Sequence, residues 1–259
     1  MITDTAILHD PYFWLLGIPA VILLGLGKGG FIGFGTLATP LLALAVPPVQ
    51  AAAIILPLLI VQDAVGVWAF RKTWDRHILA VMLPGALIGV LIGYVFAASL
   101  PEVWVLLALA LISIGFGLQR LWVQRGGRVA PSRVLPDWVG MLCGTASGVS
   151  SQIAHAGGPP YQLWVMPQRL DRDILVGTTA IFFAVMNWIK LPAFAALGEF
   201  TTTNLVASAA MLPVAMLSTF AGVWLVRRVR GESFYVIVYV LIALVGFKLL
   251  WDAVTLLAA

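Results

Sequence analysis

Charge is what this chain has least of. Only 10% of its 259 residues are Asp, Glu, Lys or Arg, 61% are hydrophobic, and the mean hydropathy is +1.03. Soluble domains carry about 25% charged residues, so the main solvent of this chain is lipid. Cysteine is almost absent. The single Cys143 excludes an intramolecular disulfide and a cysteine-based metal cluster, and it reads as a small inert residue in an apolar run. The basic residues stand singly between apolar segments, so the net charge of +4 does not point to nucleic acid. No cofactor and no metal is implied. Residues 1–10 hold Asp4 and Asp10 but no Lys or Arg. They lack the basic region of a signal peptide, and the first apolar segment is expected to be retained.

Long apolar runs are abundant. Eight segments are delimited by breakers, at about 12–27, 49–70, 77–98, 103–122, 137–153, 173–197, 203–226 and 233–253. Most have the length of a membrane-spanning helix. The first and fifth are shorter, and each runs into a glycine-rich stretch. After the first comes Gly27-Lys28-Gly29-Gly30-Phe31-Ile32-Gly33-Phe34-Gly35. The fifth contains and is followed by Gly144-Thr145-Ala146-Ser147-Gly148-Val149-Ser150-Ser151-Gln152-Ile153-Ala154-His155-Ala156-Gly157-Gly158-Pro159-Pro160. Pro40 and Pro47 match Pro160 and Pro167 at an offset of 120, while Pro84, Gly93 and Trp122 match Pro213, Gly222 and Trp251 at 129. The chain is therefore expected to be duplicated, with a first repeat over 1–125, a linker over 126–136 and a second repeat over 137–259.

The basic residues supply an orientation. Arg71, Lys72 and Arg76, then Arg120, Arg125, Arg128 and Arg133, then Arg169 and Arg172, and finally Arg227, Arg228 and Arg230 fall between alternate segments. The intervening loops at 98–102 and 197–203 hold none. The positive-inside rule makes the first set cytoplasmic. Stretch 12–46 then starts and ends outside, and stretch 137–168 starts and ends inside. Each reads as a hairpin turning at its glycines, with three crossings after it (49–70, 77–98 and 103–122; 173–197, 203–226 and 233–253). The expected fold is an all-α polytopic membrane protein of two homologous, inverted halves, each a Gly-broken hairpin followed by three transmembrane helices. The termini are expected to be non-cytoplasmic, in a cell's inner membrane.

Irregular backbone at membrane depth must be buried in protein or line a wet cavity. Helices restarting after the two breaks are expected to converge on the midplane with free N–H groups, a setting that favours an anion; close helix packing is the competing reading of the glycines. The candidate substrate-binding residues are Lys28, Gly29, Gly30, Gly33, Gly35, Thr36 and Thr39 in the first break. In the second they are Ser147, Ser150, Ser151, Gln152, His155, Gly157 and Gly158. Each hydroxyl alone also reads as a helix back-bond. Lys28 is either a functional intramembrane charge or a shallow lysine that snorkels. Asp63, central in its segment, is the candidate coupling carboxylate; pairing with Lys28 or facing a wet cavity are its other readings. Lys190 lies near the outer end of its segment, with Asn187 one turn earlier, and Lys248 with Asp252 reads as an exposed i, i+4 pair.

Gly29-Gly30-Phe31-Ile32-Gly33-Phe34-Gly35 followed by Pro40, with His155-Ala156-Gly157-Gly158-Pro159 about 120 residues later, resembles the TauE/SafE sulfite exporter family over essentially the whole chain. The resemblance implies transport of sulfite, thiosulfate, organosulfonates or other small organic acids. It fixes neither direction nor coupling ion. The expected function is thus a secondary transporter or facilitator of a small sulfur-containing anion working by alternating access, with the lipid bilayer and the anion as partners. An anion channel is one alternative. The other is an intramembrane hydrolase using Ser150 or Ser151 with His155, although rhomboid-like enzymes place that pair on separate helices.

Overall fold

The computed structural model describes residues 6–29, 34–99, 101–126, 135–226 and 232–258. Gly30, Gly33, Arg128, Arg133, Arg227, Arg228 and Arg230 lie outside these residues. Among the described residues every regular element is helical. In chain order they are α1 (Ala6–His9), α2 (Pro11–Lys28), a 3-10 turn (Phe34–Leu37), α3 (Ala38–Leu42), α4 (Pro48–Phe70), α5 (Arg76–Ser99) and α6 (Glu102–Gln124). Then come α7 (Asp137–Ala154), α8 (Gly158–Val165), a 3-10 turn (Met166–Gln168), α9 (Arg172–Ala196), α10 (Thr202–Val226) and α11 (Glu232–Ala258). Helix starts follow local chemistry: Asp10 accepts the Tyr12 N–H at 2.9 Å, and Pro11, Pro48 and Pro159 occupy first-turn positions where no N–H is needed.

Seven described helices are long and apolar enough to cross a membrane: α2, α4, α5, α6, α9, α10 and α11. The eighth apolar segment of the sequence is α7. It is a helix of 18 residues, but Gly140, Gly144, Gly148, Thr145, Ser147, Ser150 and Ser151 dilute its hydropathy. It needs less lipid-facing surface, because much of it is buried against the protein.

The helices pair across the two halves of the chain. α2 lies on α10, α7 on α5, α4 on α9 and α6 on α11. Small residues make these crossings close, which is how helices associate where lipid removes the hydrophobic driving force. A Cβ added to Gly89 of α5 would sit 2.0 Å from the Thr145 carbonyl oxygen, and one on Gly148 of α7 would sit 2.2 Å from that of Ala86. Gly25 of α2 is closed in the same way by Ser218 of α10, whose Oγ would be 1.9 Å away. Where α6 crosses α11, Gly117 abuts Ala243, and Gly246 abuts Ile114.

Two sets of contacts mark the ends of the bundle. At one end His77 bonds Asp137 at 3.0 Å, and Trp164 donates its indole N–H to the Leu135 carbonyl at 3.2 Å. The chain that leaves through α7 has thus returned by Trp164. At the other end Phe13, Leu42 and Val46 share one apolar cluster, and Gln50 donates to Asn204 at 2.8 Å.

The crossings predict a sharp contrast between glycines. Gly89→Val is expected to destabilise by at least about 2 kcal/mol, because the clash is with backbone and cannot relax by a rotamer change. Gly115→Ala, with nothing within 4 Å of the new Cβ, is expected to leave the melting temperature unchanged. Thermal unfolding in detergent compares the two.

Candidate functional site

α2 stops at Lys28, where the Gly29 N–H closes the last turn on the Gly25 carbonyl at 2.9 Å. The lysine ammonium reaches α4 and forms an ion pair with Asp63 Oδ1. The carboxylate is buried, and its other oxygen accepts the Asn187 amide N–H from α9 at 2.5 Å. Asp63 is therefore engaged on both oxygens. Asp63 and Asn187 are each the sixteenth residue of their helix, counting from Pro48 and Arg172. Lys28 also lies 5.9 Å from the ring centroid of Phe183, so its part-exposed ammonium has an aromatic face as well as a carboxylate.

α7 ends at His155, whose φ of 50° and ψ of 25° are left-handed. A residue with a Cβ occupies this region at a cost of about 1 kcal/mol; the ring's bonds offset it. Nε2 lies 2.9 Å from the Ala52 carbonyl of α4, and Nδ1 lies 2.6 Å from Lys190 Nζ of α9. A carbonyl only accepts, so Nε2 carries the hydrogen and Nδ1 presents its lone pair to the lysine. That tautomer is assigned from partners and describes a neutral imidazole. Phe194 stacks on the ring at 6.3 Å.

Lys190 is fully buried. Its other contacts are Ser151 Oγ at 3.1 Å and the Ser151 carbonyl at 3.4 Å. Among the described residues no carboxylate pairs with it. An ammonium enclosed by neutral acceptors alone is costly. Asn187 holds Asp63, and Lys190, one turn further along α9, meets His155, so the two clusters adjoin at the α4–α9 crossing. Phe183, Asn187, Lys190 and Phe194 fall at i, i+4, i+7 and i+11, one stripe of α9 facing the ends of α2 and α7.

The sequence-derived candidates divide accordingly. Lys28, Asp63, Ser151 and His155 meet in the site. Ser147 and Gly157 frame it: Ser147 Oγ donates to the Gly157 carbonyl at 2.7 Å, and a Cβ on Gly157 would lie 2.8 Å from Ser147 and 3.1 Å from Phe183. Gly29 and Gly35 serve the first break, with Gly29 buried beside Gly222 and the Gly35 N–H backbone only 2.6 Å from where a Gly27 Cβ would be. Thr36 is buried beside them, and Thr39 is fully buried with its hydroxyl unpartnered. Ser150 back-bonds to the Ala146 carbonyl at 2.8 Å instead of facing the site. Gln152 is buried against Gly93 of α5, with both amide atoms unpartnered. Gly158 has room for a side chain, its nearest neighbour being 3.7 Å from a Cβ.

Among the described residues, the helices that restart after the breaks offer few free N–H groups. After the first break a 3-10 turn leads only to the five residues of α3. In α8 the first three residues include Pro159 and Pro160, which have no N–H to offer. The positive potential comes from Lys28 and Lys190 instead. Neither the Ser150 nor the Ser151 hydroxyl hydrogen-bonds the His155 ring, whose nitrogens engage Lys190 and Ala52, so the nucleophile–base contact of a serine hydrolase is not formed. Among the described residues no three His, Cys, Asp or Glu side chains are grouped to hold a metal. Lys248 and Asp252 form their exposed pair at 2.5 Å.

The buried pair makes a stability prediction. Asp63→Ala is expected to lower unfolding stability by about 3 kcal/mol, by leaving Lys28 without its counter-charge. The combined Lys28→Met and Asp63→Leu change is expected to recover most of that loss in the same melting assay.

No solved structure and no curated protein is significantly similar to the chain. A family model described as Sulfite exporter TauE/SafE, however, matches residues 17–249, nearly the whole length. With its seven apolar helices, the chain is a multi-pass membrane protein belonging to the TauE/SafE family of sulfur-anion exporters.

Proposed function

We propose that the protein is a secondary carrier for a small sulfur-containing oxyanion, sulfite or an organosulfonate, bound at the α4–α9 crossing between Lys28 and Lys190. One observation carries the reading: Lys190 is fully buried, and among the described residues its hydrogen-bond partners are all neutral. An intramembrane charge of this kind marks a ligand pathway, and an oxyanion supplies the counter-charge. Ser151 Oγ adds a neutral donor, which suits a ligand that must also leave.

The two ends of the site belong to α2 and α7, which are the first arms of the two glycine-broken stretches. Their crosswise pairing, α2 with α10 and α7 with α5, is unchanged when the halves of the chain are exchanged. So is the contact of Gly117 with Ala243 and Gly246 with Ile114, at an offset of 129. These contacts support two inverted repeats that rock about the α4–α9 and α6–α11 pairs, exposing the anion to one side and then the other. The end carrying Arg71, Lys72, Arg76, Arg125 and Arg169 is assigned to the cytoplasm.

Two measurements test the reading. In proteoliposomes, Lys190→Met is expected to reduce sulfite flux at least about tenfold, and external sulfite is expected to accelerate efflux of internal label in the unmodified protein. Flux in Lys190→Met equal to that of the parent overturns the site, and flux without such trans-acceleration favours a channel. Single cysteines at residues 4 and 168, in a Cys143→Ala background, are expected to react from opposite faces of intact cells. Labelling from the same face contradicts the inverted arrangement.

A further inference from the structure

The interior of the site has a definite charge. In the anion-bound state, with Lys190 protonated, Lys28 and Lys190 contribute two ammoniums, Asp63 contributes one carboxylate, and His155 is neutral by its hydrogen-bond partners. The sum is one positive charge. The other charged residues of α2, α4, α7 and α9 are Asp137, Arg172 and Asp173, all in the first turns of their helices. In a low-dielectric enclosure an uncompensated unit charge is costly. A bound ligand that brings one negative charge cancels the excess, whereas a ligand that brings two replaces an excess cation by an excess anion.

We propose, building on the carrier reading above, that the site selects singly charged oxyanions such as hydrogen sulfite or a monosulfonate over dianions, and that Asp63 sets this valence by occupying Lys28. The geometry makes the assignment specific. Asp63 holds Lys28 through one oxygen and Asn187 through the other, so the carboxylate is fixed on the α4–α9 axis. Asn187 stands opposite it at the same position in its own helix. Because Asn187 is hydrogen-bonded to Asp63, a carboxylate at either position lies at the same crossing, and the number of carboxylates there determines the charge left for the ligand. Phe183 and Phe194 flank the stripe and suit an uncharged tail rather than a second anionic head.

The test uses 2-hydroxyethanesulfonate and ethane-1,2-disulfonate, which share a two-carbon frame and are fully ionised at any working pH. Binding to the purified full-length protein is measured by calorimetry. The parent is expected to bind the monosulfonate at least about tenfold more tightly than the disulfonate, a difference smaller than the roughly hundredfold that a unit charge at about 6 Å and an effective dielectric constant near 20 produces. Asp63→Asn, which raises the site to two positive charges, is expected to reverse the preference. Asn187→Asp, which lowers it to zero, is expected to weaken both anions at least about tenfold. Asp63→Asn combined with Asn187→Asp restores one positive charge and is expected to restore the preference for the monosulfonate. Should either single variant fail to fold, the parent's ratio and the exchanged double variant decide the matter. Equal or tighter binding of the disulfonate by the parent overturns the inference while leaving the carrier reading intact, as does an unchanged ratio in Asp63→Asn. Binding of neither sulfonate by the parent overturns both.

Discussion

An ammonium enclosed by helices keeps its charge only if something nearby bears the opposite one. Lys28 has Asp63 for that purpose, but Lys190 has a hydroxyl, a carbonyl and an imidazole lone pair. The site depends on this imbalance. It places Lys190 where two broken stretches of chain end, and in the proposed carrier that charge is left for the ligand to satisfy. Replacement of a buried charge by apolar atoms is often neutral or stabilising, so a lysine in such surroundings is accounted for by function better than by folding.

The close helix crossings serve that placement. Gly85, Gly89 and Gly93 let α7 approach α5 at van der Waals distance, and this carries His155 and Ser151 to α4 and α9. Gly25 and Gly222 do the same for α2 on α10, and so deliver Lys28 to Asp63. Side chains of any size at these crossings would move the ends of α2 and α7, and the charges with them. Rigid placement of a site by packed elements is the general requirement for binding with a defined geometry.

Much of the fold was legible because its signals are long and redundant. Each apolar segment read from the sequence is a helix within a few residues of its expected ends, since proline, glycine and charge punctuate it clearly. Lys28, Asp63, Ser151 and His155 were likewise visible as polar groups out of place in lipid. Position along the sequence places Lys190 near the end of α9, whereas its full burial depends on what surrounds that helix. The spacing Phe183, Asn187, Lys190 and Phe194 was the available signal: one face of an otherwise lipid-compatible helix carries an amide and an ammonium. Ser150 and Gly158 could not be told from Ser151 and Gly157 by residue type. Which serine faces the site is a matter of helical phase at a break, and which glycine is obligatory is a matter of what Phe183 and Ser147 leave free. At the second break Pro159 and Pro160 remove helix N-terminal donors, and at the first the chain re-enters through a 3-10 turn and a five-residue helix.

The central claim is that the anion sits beside Lys190, and localisation of a heavy-atom analogue tests it most directly. An experimental structure with bound bromomethanesulfonate, located by bromine anomalous scattering, is predicted to place the sulfonate oxygens about 3 Å from Lys190 Nζ, beside Ser151 and on the side facing Lys28. Bromine signal confined to the lipid-facing surface or to the arginine-bearing end of the bundle, with the α4–α9 crossing empty, would contradict it.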